Sequence, residues 1–400
     1  MKKHKLLLLS LIFLVIFSST AYAESSTLFL NNIIDDAIEN SITLKSLSNK
    51  VKSLEKSKSD AEEASKDAAQ RLDTNEALKD LLKNYSSLSP AEKMQVTMLI
   101  RMHIIMTIDD KLQFTKIKEL SVPNADYAIL QNKNNMEIAK NSSILSISQQ
   151  FNTILNMQDS IKLQNNNIKI LEDRLNTAKI QYDNGLISNK DYKTLESSLK
   201  KSKLELLKMQ NNMNSLVITL NQAINKPLLT KYDEFSDSGM TPYLDIKSLD
   251  EYINTALTYR SEIICNQKYY DIKKREYEIT YEVYPSDLND NTQQAKYDME
   301  DAQNKLEQSK EDIKIEITTL YKDIEKNIQD INNYQKKYDA AKYDNEIAKK
   351  KYSFGLISRL DVENSNLNLL QAQIQLNQAK RTLYINELKL NFACGIGPAA

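Results

Sequence analysis

QYDNGLISNKDY at 181–192 and KYSFGLISRLDV at 351–362 are two copies of one phrase, 170 positions apart. They share Tyr182 and Tyr352, Gly185 and Gly355, Leu186 and Leu356, Ile187 and Ile357, Ser188 and Ser358, and Asp191 and Asp361. The chain has 400 residues and only five glycines, so two in one repeated phrase call for a backbone reason. Glycine takes positive φ at little steric cost, and one isolated between helical stretches marks a reversal. The phrase therefore predicts two helical hairpins with matching tips, the product of an internal duplication.

The duplication extends outward from the tips. Leu199, Leu206, Met213 and Leu220 recur every seven residues after the first tip, and Leu369, Leu376, Leu383 and Leu390 do so after the second. Asn221 and Ala223 match Asn391 and Ala393 near the end of each returning helix. Seven-residue apolar spacing belongs to helices that supercoil around neighbours. The expected fold is all-α, with long coiled-coil hairpins in two sequence repeats and little or no β-structure.

Lys2, Lys3 and Lys5 precede an apolar run over 6–17, and Ala21-Tyr22-Ala23 supplies a cleavage pattern, so 1–23 reads as an export signal. Without those lysines the chain is mildly acidic, which disfavours nucleic acid as a partner. Cys265 and Cys394 are the only cysteines and lack metal-type spacing; sequence leaves them as free thiols or a bridge. The remaining histidine, His103, has no serine or cysteine partner in motif spacing, and no phosphate-binding glycine loop or metal cluster is present. An enzyme is therefore rejected, and no cofactor or metal is expected.

Prolines mark the expected helix boundaries. Pro90, Pro123, Pro227, Pro242, Pro285 and Pro398 divide the chain into helices over about 28–85, 89–120, 124–182 and 188–224 in the first repeat. The second repeat should hold helices over about 246–281 and 292–352, and a last one that ends near Asn391, before Gly395 and Gly397. The two long helices would each span roughly 90 Å. The organisation is a leader at 1–23, a first repeat at 24–225 with an extra helical insert about 86–122, a polar linker at 226–243, and a second repeat at 244–400.

These features resemble the TolC family of outer-membrane efflux proteins. The likeness rests on both tips, on LFLNNIIDDAIENSITLKSLSNKV at 28–51, on LDIKSLDEYINTALTYRSEI at 244–263 with its Arg260-Ser261-Glu262, and on the closing Asn391-Phe392-Ala393-Cys394-Gly395. The resemblance implies a homotrimer whose hairpins close into an α-helical tube, joined to a membrane-fusion adaptor and an inner-membrane transporter. It implies a location in the cell envelope. The family's paired strands between first and long helices have no counterpart here: 285–290 is a tight polar turn, and the Met-rich stretch before Pro123 has helical periodicity. No outer-membrane barrel is expected, which leaves membrane contact open.

Three groups of residues are candidates for function. Gly185, Leu186, Ile187, Ser188, Gly355, Leu356, Ile357 and Ser358 form the tips; their aliphatics read as an adaptor-docking surface or as contacts that staple the reversed helices. Tyr182, Asp191, Tyr352, Arg359 and Asp361 are the pore-end candidates. By resemblance Asp361 would form an acidic ring and Asp191 and Tyr352 would help hold it shut, whereas the helix dipole alone also favours both carboxylates. The family's arginine falls at Ile357, and Arg359 is the candidate substitute. Met94, Met98, Met102 and Met106 fall four apart beside His103. Methionine fills irregular gaps, so the stripe reads first as packing against another helix, next as contact with membrane or another subunit, and last as a soft-metal site.

The reading as a whole is an export duct. Its rivals are a coiled-coil scaffold without transport and a helical pore-former that uses 94–108.

Overall fold

A computed structural model describes residues 27–102, 105–242 and 246–395, apart from the side chains of 77–82. The expected leader, His103, the start of LDIK, Gly397 and Pro398 lie outside the described residues. The first repeat contains β1 (Thr27–Phe29), α1 (Leu30–Asn40), α2 (Ile42–Lys83), a 3-10 turn at Tyr85–Ser87, α3 (Pro90–Arg101), α4 (Ile108–Asp183) and α5 (Asn189–Ala223). The linker carries β2 (Glu234–Ser236). The second repeat contains α6 (Leu249–Tyr259), α7 (Ser261–Val283), α8 (Asp290–Ser353) and α9 (Arg359–Gly395). The all-α expectation holds, and so does the pair of hairpins α4–α5 and α8–α9.

Each repeat opens with an 11-residue helix and then breaks at one extended residue, Ser41 (φ −63°, ψ 115°) or Arg260 (φ −68°, ψ 123°). Neither break was expected, because neither involves glycine or proline. The breaks lie 219 positions apart against 170 for the tips, so the first repeat is 49 residues longer on that side. The excess sits in α2 (42 residues against 23 in α7), in the segment around α3, and in α4 (76 against 64 in α8).

Pro123 does not end a helix. It lies inside α4, where its missing N–H removes one backbone bond. Flanking contacts hold the helix through that point. Arg275 of α7 binds Glu119 at 2.6 Å, Lys58 of α2 binds Asp126 at 2.8 Å, and Tyr127 lies 5.4 Å from Tyr269. The real boundary comes earlier, between Arg101 and Ile108. There Thr107 caps α4: Asp110 N donates to Thr107 Oγ1 (3.1 Å) and Thr107 N donates to Asp110 Oδ2 (2.9 Å).

The linker is more than a polar connector. β2 runs parallel to β1 with Leu28 opposite Phe235, and Phe235 packs edge-on against Phe151 and Tyr232. Asn221, fully buried, donates to the carbonyls of Leu228 (3.1 Å) and Thr230 (2.8 Å) and accepts from Tyr232 Oη (2.7 Å), which folds the linker back on α5.

Apolar burial concentrates at the middle of the rods. Leu30, Ile33, Leu145, Phe151, Ile154, Leu220 and Ile224 form one core; Ala256, Leu306, Ile313, Ile317, Leu383 and Leu390 form its second-repeat counterpart. Each large side chain fully buried there contributes about 1.5–3 kcal/mol. A small third cluster of Leu112, Leu120, Ile272 and Ile279 joins α4 to α7 at the end away from the tips. Cys265 and Cys394 are free thiols in this interior.

Near the tips the helices form a single layer in the order α5, α4, α9, α8; α5 and α8 do not pack on each other. Toward the opposite end the order becomes α2, α4, α7, α8. The two hairpins are tied together by Arg381 of α9, 3% exposed, which reaches Asn152, Asn156 and Asp159 on α4 and Asp237 in the linker at 2.7–3.2 Å.

Candidate functional site: the paired hairpin tips

Both tips end their helices in the same way. Gly185 has φ +73° and Gly355 φ +71°. Leu186 N donates to Gln181 O (2.8 Å) and Gly185 N to Tyr182 O (2.9 Å); Leu356 N donates to Lys351 O and Gly355 N to Tyr352 O, both at 2.9 Å. This paired pattern satisfies carbonyls that the helix end would orphan. A Cβ on either glycine would meet nothing within 4 Å, so the requirement for glycine comes from φ alone.

The serine and aspartate of each phrase start the returning helix. Asp191 N donates to Ser188 Oγ (3.1 Å), and Ser188 Oγ donates to Asp191 Oδ2 (2.7 Å). At the second tip Asp361 N donates to Ser358 Oγ (3.2 Å), while Ser358 N and Oγ donate to Asp361 Oδ2 at 2.9 and 2.7 Å. The hydrogen bonds from the Ser358 side chain and backbone hold the Asp361 carboxyl below its ordinary 3.8. Within one protomer, then, both carboxylates act as caps.

The aliphatic pairs divide. Leu186 and Leu356 are 74% and 71% exposed, whereas Ile187 and Ile357 are half-buried in the turn, so only the leucine of each pair is open to an outside contact. The second tip adds Phe354, 78% exposed, where the first has Asn184. Tyr182 stacks on Tyr192 with centroids 5.4 Å apart, and Tyr352 is exposed at the matching place.

Arg359 is the pore-end candidate that reaches the other hairpin. Its guanidinium binds Glu363 on its own helix (2.7 Å) and Asp173 on α4 (3.3 Å), and Arg174 donates to Asn364 close by (3.1 Å). A groove of about 650 Å³ runs between the hairpins here, lined by Asp173, Thr177, Ala178, Leu195, Leu360 and Glu363. Sequence reading missed Asp173, Arg174 and Glu363, because nothing local says which residues of α4 face α9. Hairpins of equal reach would have placed the last turns of α4 beside the first turns of α9.

The methionines are not packed inside the protomer. Met94 and Met98 on α3 and Met102 at its C-cap form an exposed stripe, while Val96 on the opposite side is buried. Met106 is half-buried, and its backbone N donates to the buried Asn75 Oδ1 (3.0 Å). Only one face of this short helix is covered, which is why the packing expectation fails for three of the four. Among the described residues no helix is long and apolar enough to cross a membrane.

Residues 266–396 match the family model described as Outer membrane efflux protein. The fold of the whole chain resembles the outer membrane protein VceC from Vibrio cholerae (TM-score 0.58, 14% identity, 92% of this chain and 96% of that one). It also resembles the Campylobacter jejuni CmeC outer membrane channel (0.54, 15%, 92% and 86%) and the open state of the Neisseria gonorrhoeae MtrE outer membrane channel (0.52, 13%, 92% and 89%). No curated protein matches the chain significantly. The fold is thus TolC-like, two helical hairpins, in agreement with the resemblance carried by the tips. Within this chain, the efflux-protein model matches most of the second repeat, and the first repeat is the longer one, in α2, around α3 and in α4.

Proposed function

We propose that this chain is the duct subunit of an export system in the cell envelope, assembling as a homotrimer that closes into a helical tube. The observation that supports this is the open layer near the tips. Its free borders, α5 and α8, expose Leu204 (61%) and Leu207 (55%) on one and Tyr343 (65%) on the other, with Ile315 (65%) further along α8. An unclosed row of helices with apolar side chains on both borders gains stability by lateral association, and head-to-tail contacts of this kind close into rings. The purified chain should therefore run as a multimer with a hollow end-on view, and Leu204→Glu with Leu207→Glu should shift it to protomers. A monomeric or solid rod for the unaltered chain would exclude the duct.

The tips are the docking surface for the adaptor in this proposal, with Leu186, Leu356 and Phe354 as apolar contacts and the groove beside Arg359 as their seat. Leu186→Asp with Leu356→Asp should abolish adaptor capture while leaving the multimer intact. An inner-membrane transporter completes the path, and no step of it involves catalysis. The scaffold reading draws on one observation: helices occupy the places where strands would anchor a barrel, with α7 and α8 joined by a short turn. Ion conductance by the assembled chain in a bilayer separates the two, since a scaffold carries none.

A further inference from the structure

Sulfur is distributed unevenly between interior and surface. Both cysteines are buried, and burial pushes both thiols up, Cys394 to about 11, so neither presents a thiolate to solvent. Among the described residues the exposed methionines are Met94 (77%) and Met98 (61%) on α3 and Met102 (58%) at its C-cap, four positions apart. The other described methionines are half-buried or, like Met240, covered. A thioether's susceptibility to oxidants follows its exposure, so among the described residues the most accessible sulfur is confined to one 12-residue helix and its C-cap.

We propose that α3 with its C-cap is the oxidant-accepting element of this chain: hydrogen peroxide converts Met94, Met98 and Met102 to sulfoxides, which turns an apolar stripe polar while the helix stays seated. In each event a sulfur lone pair attacks one peroxide oxygen. The S–O bond forms as the O–O bond breaks, sulfur loses two electrons, and the second oxygen departs as water after taking up the proton. The helix stays because its anchors lie elsewhere. Val96, 4% exposed, points away from the stripe. Ser89 and Glu92 close a capping box, with Ser89 N donating to Glu92 Oε2 at 2.8 Å, and Lys93 Nζ donates to Ser86 O at 3.3 Å. A sulfoxide is polar and enzymatically reducible, so the change in surface character is reversible. None of this depends on the duct reading.

The test is a time course of the purified chain in limiting hydrogen peroxide, read by peptide mass spectrometry. The expected result is one added oxygen at each of Met94, Met98 and Met102 before any other methionine reacts. Retention on a hydrophobic matrix should fall, with no loss of helical circular dichroism. Met94→Leu, Met98→Leu and Met102→Leu, made singly, should each remove one oxygen from the early gain, and the triple variant should remove all three. Oxidation of Met240 or the half-buried methionines at the same rate as the stripe would overturn the proposal. So would a loss of helix accompanying the early phase.

Discussion

The two hairpin tips share every residue that fixes their backbone, whereas the junctions at Ser41 and Arg260 share a backbone and little else. At the tips, geometry fixes chemistry: a positive φ needs glycine, and a bare helix start needs serine with an acid three residues on. At the junctions the same extended residue is held by different means. Ser41 Oγ accepts from Leu44 N at 3.2 Å, and Asn225 Nδ2 donates to Asn40 O at 3.0 Å beside it. Arg260 is 2% exposed, pairs with Glu316 and Glu262, and lies 3.5 Å from the Ala393 carbonyl. One break is capped locally; the other is bolted through α8 to the end of α9. A duplicated scaffold keeps its residues where local backbone demands them and can differ where a distant neighbour provides the hold.

That contrast can be broken at its strongest point first. Arg260→Met removes the buried guanidinium that pairs with Glu316 and Glu262 and should cost about 3 kcal/mol in urea unfolding. Ser41→Ala, at the equivalent break, should cost about 1 kcal/mol, the usual loss for a capping serine. Equal costs at the two sites would erase the distinction. Gly355→Ala and Gly185→Ala should each cost about 1–2 kcal/mol, since φ and not space is the constraint, and the effect should appear as faster amide exchange confined to the altered tip.

A pH dependence sharpens the picture of the second tip. The folded-state pKa of Asp361 lies below its ordinary 3.8, so its capping contribution is present above that value and disappears as pH falls through the lower folded one. Carboxyl resonances should show Asp361 titrating below 3.8, and Ser358→Ala should move the midpoint up. Smallest of all, Arg359→Ala should leave unfolding unchanged, because the Asp173 pair is solvent-exposed. Its effect should appear instead as a looser hairpin–hairpin distance, measurable with spin labels at the tips and diminished by salt.

What could be read in advance follows from the range of the interactions. The tips and the heptads were legible because each is a short-range requirement written within a few residues. The capping box at Thr107 and Asp110 was equally local and was overlooked in favour of Pro123. That proline was misread because its cost is met by Glu119, Asp126 and Tyr127 bonding across to other helices. The junctions at Ser41 and Arg260, the reach of Arg359 to Asp173, and the core role of Phe235 depend on partners tens to hundreds of positions away. No periodicity announces them. The exposure of Met94, Met98 and Met102 was hidden for the converse reason: an apolar stripe looks the same in sequence whether or not something covers it.

The parallel clasp of β1 on β2 has a consequence for how the molecule is made. Thr27 can meet Glu234 only after some two hundred intervening residues have been synthesised and folded back, and so distant a closure is slow to form. Until the linker emerges, the seam between α4 and α5 must hold the first hairpin by itself. The clasp then works as a latch that shuts last, and a chain stalled before Ser236 would present Leu28, Phe151 and Ile154 uncovered to the machinery that inspects nascent proteins.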